Sequence, residues 1–360
     1  MIKFLYFIIL SVCIISSFTN IKSRVLELII IVGTFVLFAG NNFNSDYNLY
    51  LFSFITDDYE RYEIGYTLYY KLMKQIGINS YHITLMILII LLFIIILFSL
   101  KKYSKNYIPF FLFLLMGELF IETVQIRTFV ASVFLFAAIT YFKDNKIKSL
   151  FFLLLAASFQ MVGLFYLPFF AIILLKKGWI FKNNKSRYQF VFFLFIVYVL
   201  LLLLNNIGKI NLILLFIRLI TNKISLFEHA SNYFGGTNWG SIPFVLLYLC
   251  NIVTLWYLNR DTKKFNLKYK EITLDINIYA AFCLPLLFID MNFYRIFRIL
   301  NITNFAYYIS VLSITNKNIT YRYLKNLSFV FIIQLAWFLN YYIRIPEIFN
   351  DILSNNIWLR

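Results

Sequence analysis

The sequence predicts an all-α polytopic membrane protein, and three observations predict it. Hydrophobic residues fill 62% of 360 positions and charged residues only 14%, against about 25% charged in ordinary soluble domains. Apolar runs of about 16–20 residues recur along the whole chain, long enough to cross a bilayer as helices. The positive charge is confined to particular connections. Only helices and closed barrels satisfy their own backbone groups in lipid, and no alternating ten-residue strand pattern is present.

Ten apolar segments read as spans: 2–18, 25–40, 82–100, 107–121, 124–142, 189–204, 242–258, 272–290, 296–314 and 327–343. The first, MIKFLYFIILSVCIISSF, is as apolar as a signal peptide, but SSFTNIKSR offers a poor small-residue cleavage site, so it reads as a retained helix. A further segment, SLFFLLLAASFQMVGLFYLPFFAIILL (149–175), has strongly basic flanks on both sides. A single crossing cannot leave both flanks on one face. A re-entrant helical hairpin bending near Ser158, Phe159, Gln160 and Gly163 answers this; one long tilted helix is the alternative. Backbone of that kind is tolerated only inside protein or along a wet cavity. No linker, low-complexity tract or internal repeat divides the chain, so residues 1–360 read as a single integral membrane domain.

The formal net charge of +17 suggests nucleic acid only until the charges are placed. TNIKSR (19–24), KKYSKN (101–106), KDNKIK (143–148), KKGWIFKNNKSR (176–187), NRDTKKFNLKYKE (259–271) and TNKNITYRYLK (315–325) hold 21 of the 33 Lys and Arg residues, and three acids. That asymmetry is the positive-inside pattern, and it requires no nucleic-acid partner. It puts these connections in the cytoplasm, and both termini and the long loops 41–81 and 205–241 on the outer side. Cys13, Cys250 and Cys283 lie in apolar segments without CxxC spacing. The only histidines are His82 and His229, the latter beside Glu228 and read as a solvated loop residue. With no DxD or HxxxH cluster, neither metal nor cofactor is expected.

The outer loops carry the chemistry. NNFNSDYNLYLFSF (41–54) puts Asp46 beside Tyr47, Tyr50 and Phe54. Further on, Tyr66, Tyr69, Tyr70 and Met73 fall at spacings of three and four, as in an amphipathic interfacial helix. In the second loop, KINLILLFIRLI (209–220) has the same character and SNYFGGTNWGS (231–241) is turn-rich. Such aromatics suit an interfacial belt, or carbohydrate, whose apolar faces stack on rings.

Ionisable groups at span edges are costly and mark functional candidates. Glu118, Glu122 and Gln125 follow i, i+4, i+7, one stripe of a continuous helix, and Arg127 lies on the opposite side. It must find a partner on a neighbouring helix or in an anionic ligand. Arg295 and Arg298 in DMNFYRIFRILN (290–301) are adjacent on one helix face. These arginines either pair with outer acids, including Glu118, Glu122 and Asp290, or bind phosphate oxygens, which guanidinium forks do bidentately.

At these residues the sequence resembles the EpsG-like branch of the Wzy polysaccharide polymerases. NSDYNLYLFSF followed by YEIGYTLYYKLMKQIG is similar to that family's outer loop. QIRTFVASVFLFAAITYFKDNKIKSLFFLLLAASFQMVGLFYLPF resembles its central block, and FYRIFRILNITNFAYY its late arginine helix. Where the hairpin usually carries a histidine, Gln160 stands here, which can hydrogen-bond but cannot titrate.

The resemblance implies a GT-C-like glycosyltransferase architecture in a bacterial inner membrane, with the active site facing the periplasm or exterior. It implies metal-independent polymerisation of undecaprenyl-diphosphate-linked oligosaccharide units into O-antigen, capsule or exopolysaccharide, leaving room for a chain-length regulator protein as partner. On that reading Arg127, Arg295 and Arg298 clamp the diphosphate, and Asp46 is the base or the anchor of the acceptor sugar. Tyr47, Tyr50, Glu63, Gln125, Gln160 and Tyr294 contact substrate. Another polyprenyl-linked glycosyltransferase or ligase, or a flippase, is the alternative.

Overall fold

A computed structural model describes residues 1–60, 62–176, 184–206, 242–262, 267, 269–288, 291–315, 320–344 and 346–359. All regular elements among them are helical, apart from one isolated bridge between Asn41 and Asn356. The chain separates into two units. The first holds Met1–Leu167, Thr254–Thr273 and Ile299–Arg360; the second holds Pro168–Val253 and Leu274–Arg298.

The first unit begins with α1 (Ile2–Phe18) and α2 (Arg24–Ala39), then two short helices, α3 (Tyr47–Thr56) and α4 (Ile64–Gln75), and the long α5 (Tyr81–Leu100). Ser23 and Ser80 accept from backbone N–H groups in the first turns of α2 and α5, at 3.4 Å each, which satisfies donors the helix cannot. The next apolar stretch is not one helix. α6 (Ile108–Phe113) passes into a π turn over Leu114–Glu118, then α7 (Leu119–Val124). Gln125 leaves helical geometry with ψ of 61° before α8 (Ile126–Tyr141). α9 (Lys146–Phe159) returns alongside α8, with Ser149 Oγ donating to Ala138 O at 2.8 Å.

The expected bend near Gln160 is present. α9 stops there, Gln160 takes up extended backbone (φ −150°, ψ 124°), and a 3₁₀ segment, Met161–Tyr166, folds back against α9. Gly163 makes that approach possible. A Cβ there would lie 2.6 Å from Ala157 N and 2.7 Å from the Ala156 carbonyl carbon.

Among the described residues three helices are long and apolar enough to span a membrane: Tyr81–Leu100, Ser186–Leu203 and Ile242–Asp261 (α12); Ile2–Phe18, Ile126–Tyr141 and Met161–Leu174, the last running into α10 (Leu167–Lys176), are apolar but shorter. Several of the expected spans are interrupted among the described residues. Segment 107–121 is interrupted by the π turn. In segment 272–290, the described residues form α13 (Lys270–Ala280) followed by 3₁₀ turns at Ala281–Cys283 and Pro285–Phe288; segment 296–314 is split between short and long helices at residues 299–300. Pro285 removes a backbone donor, and buried Asp275, Asn277, Asn301 and Asn304 give the chain polar partners that a uniform apolar span lacks.

Two ends of the first unit differ in chemistry. At one, Lys102 pairs with Asp144 at 2.8 Å, Arg322 with Asp261 at 2.6 Å, and Tyr103 stacks on Tyr269 with ring centres 4.3 Å apart. The basic connections 101–106, 143–148, 259–271 and 315–325 are thus brought together. At the other, the C-terminal segment after α15 (Asn301–Thr315), α16 (Thr320–Arg344) and α17 (Pro346–Ser354) returns to the N-terminal helices. Lys3 Nζ donates to Asn350 Oδ1, Asn356 Nδ2 to Val36 O at 2.9 Å, and Ile357 N to Gly40 O at 2.8 Å. A Cβ on Gly40 would lie 2.4 Å from Asn356 Oδ1. The end carrying residues 41–81 is thus also the end where the C-terminal segment docks.

In the second unit, α11 (Asn184–Asn206) and the 3₁₀ turns of 281–288 pack together. Arg187 meets Asp275 at 2.9 Å, with side chains 6% and 1% exposed. A charge pair this deep holds its elements together because removing either partner would leave the other uncompensated. Tyr248 donates to Asn277 O at 2.6 Å.

Candidate functional site

α8 and α9 run side by side in opposite directions, so the start of one lies near the end of the other. Arg127 stands in the first turn of α8, where the helix dipole disfavours a cation. Glu63 compensates. Its Oε2 accepts from Arg127 Nη1 at 2.5 Å, while Oε1 accepts from Met161 N at 3.3 Å, the first backbone donor past the break in α9. One carboxylate thus joins three segments: the start of α4, the start of α8 and the fold-back after α9.

Glu63 is held there because α4 sits very close to α9. Gly65 is two residues on, and a Cβ at that position would lie 2.5 Å from Ser158 Oγ and 2.8 Å from Ser158 O. The acid-x-Gly-aromatic order of Glu63–Tyr66 therefore has a geometric meaning: acid to reach Arg127, glycine to approach α9, ring to fill the space behind.

Rings complete the shell. The Arg127 guanidinium lies over Tyr62 and Tyr50, 5.1 and 5.9 Å from the ring centres, a cation–π arrangement. Arg127 Nε also donates to Tyr50 Oη at 3.3 Å. Tyr50, Tyr62, Tyr66 and Tyr70 follow one another with neighbouring centres 4.5–5.7 Å apart, and Tyr70 donates to Tyr66 Oη at 2.6 Å. Burial pushes the phenols of Tyr50 and Tyr66 upward, against the opposing pull of Arg127, so both remain protonated donors.

Asp46 precedes α3 but does not cap it. That task falls to Asn44, whose Oδ1 accepts from Asp46 N at 3.0 Å and Tyr47 N at 2.9 Å. Asn44 Nδ2 in turn donates to Asn41 Oδ1 at 2.8 Å, and Asn41 Nδ2 to Asn355 O at 3.0 Å. The half-buried Asp46 carboxylate lies near enough to Tyr50 to oppose ionisation of its phenol. Tyr47 and Tyr50 are buried, 8% and 4% exposed, with their faces against other rings rather than open to a sugar. Gln160 is 5% exposed and its Oε1 has no hydrogen-bond partner among the described residues. Such an orphaned acceptor beside a charged cluster is where a water or a ligand donor belongs.

The structure thus brings together Arg127, Glu63 and Tyr50, with Asp46, Tyr47 and Gln160 on adjoining segments. Gln125 is the hinge between α7 and α8, so Glu118, Glu122 and Gln125 do not form one continuous helical stripe. Both glutamates are buried, and Glu118 accepts from Asn301 Nδ2. Among the described residues the carboxylate partner of Arg127 is Glu63, not Glu118 or Glu122. Tyr294, Arg295 and Arg298 form a separate group in the second unit, on the five-residue α14 (Tyr294–Arg298). There Arg298 is buried, Arg295 half-buried, and Tyr294 packs on Phe244 at 4.3 Å. Asp290, His229 and loop residues 207–241 lie outside the described residues. Among the described residues no group of three or more His, Cys, Asp or Glu side chains is placed to hold a metal ion.

Compared with known protein families, residues 24–354 match the EpsG family. The chain belongs to the EpsG family. The match spans both units and takes in Asp46, Glu63, Arg127, Gln160, Arg295 and Arg298. It carries a general role in polysaccharide polymerisation and agrees with the apolar helices in placing this EpsG-family chain in a membrane. Neither the comparison with curated proteins nor that with solved structures found a match.

Proposed function

We propose that this chain is a membrane glycosyltransferase that joins undecaprenyl-diphosphate-linked oligosaccharide units into a surface polysaccharide, on the outer face of a bacterial inner membrane and with a GT-C-like arrangement. The observation that carries the reading is Arg127, a guanidinium held among tyrosines at the end where the carboxylate-bearing loop folds, in a chain of a polymerase family. Two of its five N–H groups are used, on Tyr50 and Glu63. The remaining three face no protein acceptor among the described residues and suit a bidentate phosphate contact.

The reaction asks modest things of the protein. An acceptor hydroxyl oxygen attacks the anomeric carbon of the donor, the bond from that carbon to the phosphate oxygen breaks, and undecaprenyl diphosphate leaves. Arg127 stabilises the charge gathering on the diphosphate, and Arg295 and Arg298 are candidates for phosphate contacts of their own in the second unit. Asp46 accepts the hydroxyl proton or anchors the acceptor sugar. Tyr50 and Glu63 orient Arg127, and Gln160 and Gln125 offer amides to sugar hydroxyls. Tyr47 packs on Tyr81 behind α3, and Tyr294 on Phe244 in the second unit.

The test is complementation of a deletion strain, reading polymer length on the surface alongside protein level. Base catalysis contributes about 10²–10⁴-fold, so Asp46→Asn is expected to abolish polymer if Asp46 is the base. Near-normal polymer refutes that role. Arg127→Ala and Arg298→Ala are expected to abolish polymer at normal protein level, and unchanged chain length discards the clamp. In the deletion strain itself a single unit attached to the surface supports a polymerase. Unattached lipid-linked polymer, or no surface units at all, overturns it.

A further inference from the structure

The basic end of the first unit holds a groove of about 700 Å³ lined by Lys22, Lys101, Lys102 and Lys105 together with apolar residues that include Ile309 and Leu312. The volume lies in the range of small-molecule sites. Lysines at this end satisfy the charge rule for topology, but that rule does not require four of them, from two connections, to surround one hollow. Lys102 is engaged by Asp144 and lies over Tyr141, and Lys101 lies over Phe98. Lys22 and Lys105 are exposed, and among the described residues no carboxylate lines the groove. Clustered ammonium groups repel one another unless an anion sits between them. A free phosphate would use only the lysines. The half-buried Ile314 side chain in the same lining, over a floor that includes the buried Ile309 and Leu312, favours an amphiphile whose charge and hydrocarbon are joined.

We propose that this groove binds the headgroup of an anionic phospholipid, with the phosphate among the lysines and the first acyl methylenes on Ile314. Basic pockets between membrane helices have this preference on general electrostatic grounds. The site is distinct from the Arg127 cluster and its test does not depend on polymerase activity.

The experiment is native mass spectrometry of the full-length protein in mild detergent, incubated with phosphatidylglycerol, with phosphatidylcholine of the same acyl chains, or with inorganic phosphate. A one-to-one phosphatidylglycerol adduct is expected, in clear excess over phosphatidylcholine. The double variant Lys22→Gln, Lys105→Gln is expected to lower its affinity by roughly ten- to thirtyfold, whereas Lys22→Arg, Lys105→Arg retains it. Equal binding of both lipids overturns the proposal, and so does an undiminished adduct in the Gln variant. Displacement of phosphatidylglycerol by millimolar phosphate would assign the groove to a soluble anion instead. The comparison of lipids on the unaltered protein decides the matter even if the Gln variant does not fold.

Discussion

Replacing Gly65 by alanine separates two accounts of the acid-x-Gly-aromatic turn by the sign of the effect. If the glycine merely occupies the first turn of α4, alanine should stabilise the protein by up to about 1 kcal/mol through helix propensity. The structure says otherwise. The added carbon would lie 2.8 Å from Ser158 O and 2.5 Å from Ser158 Oγ, where ordinary contact begins near 3.4 Å. The hydroxyl can rotate away, but the carbonyl belongs to the last turn of α9, so the start of α4 must retreat by about 0.6 Å. Overpacking of this kind costs about 1–3 kcal/mol. Because Glu63 is two residues away, the same retreat loosens its bonds to Arg127 and Met161. Gly65→Ala should therefore lower the apparent melting temperature of the purified protein in detergent and shorten or abolish polymer in a complemented strain. Adding Ser158→Ala should restore only part of the loss, since the carbonyl contact remains. A Gly65→Ala protein that melts higher and polymerises normally would refute the packing account and, with it, the claim that α4 positions Glu63.

Other substitutions probe the same assembly. Glu63→Gln leaves Arg127 charged without its counterion. For a pair about one-fifth exposed, less than the 3–5 kcal/mol of a fully buried pair is expected, about 1–3 kcal/mol, and a double-mutant cycle with Arg127→Gln should return a coupling of that size. Gly163→Ala should be worse tolerated than Gly65→Ala, because every contact its Cβ would make is with backbone of Ala156 and Ala157; the check is the yield of folded protein on size-exclusion chromatography. Asn44→Ala removes the cap of α3 and should cost about 1 kcal/mol, seen as a lower melting temperature together with reduced polymer.

Much of the helical layout is legible because lipid imposes one requirement, unbroken apolar length. Segments 2–18, 25–40 and 82–100 are mostly apolar, with Lys3, Glu27 and His82 confined to their first turns, and fold as Ile2–Phe18, Arg24–Ala39 and Tyr81–Leu100. The break at Gln160 is legible too, since Ser158, Gln160 and Gly163 depart from the composition around them. The interruptions at 114–118, at Gln125 and over 281–288 are not. They are settled by tertiary neighbours such as Gln334 packed against Gly117, which no window of sequence contains. The same holds for the site. Charge inside an apolar context picks out Arg127, but its partner lies 64 residues earlier in a loop whose path is fixed by Gly65. The asparagines of NNFN could have been read as turn chemistry, a cap ahead of YNLY, and were the signal most easily missed.

One further consequence follows from the amide chain running from Asn355 through Asn41 to Asn44. The helix that presents Asp46 is, through these two side chains, moored to a strand of peptide more than 300 residues later. Any bulky reporter joined close behind Asn356 would tug on that mooring. A tag inserted in a basic connection such as 143–148 would leave it slack. Experiments on protein carrying a fusion behind Asn356 would then measure the fusion as much as the protein.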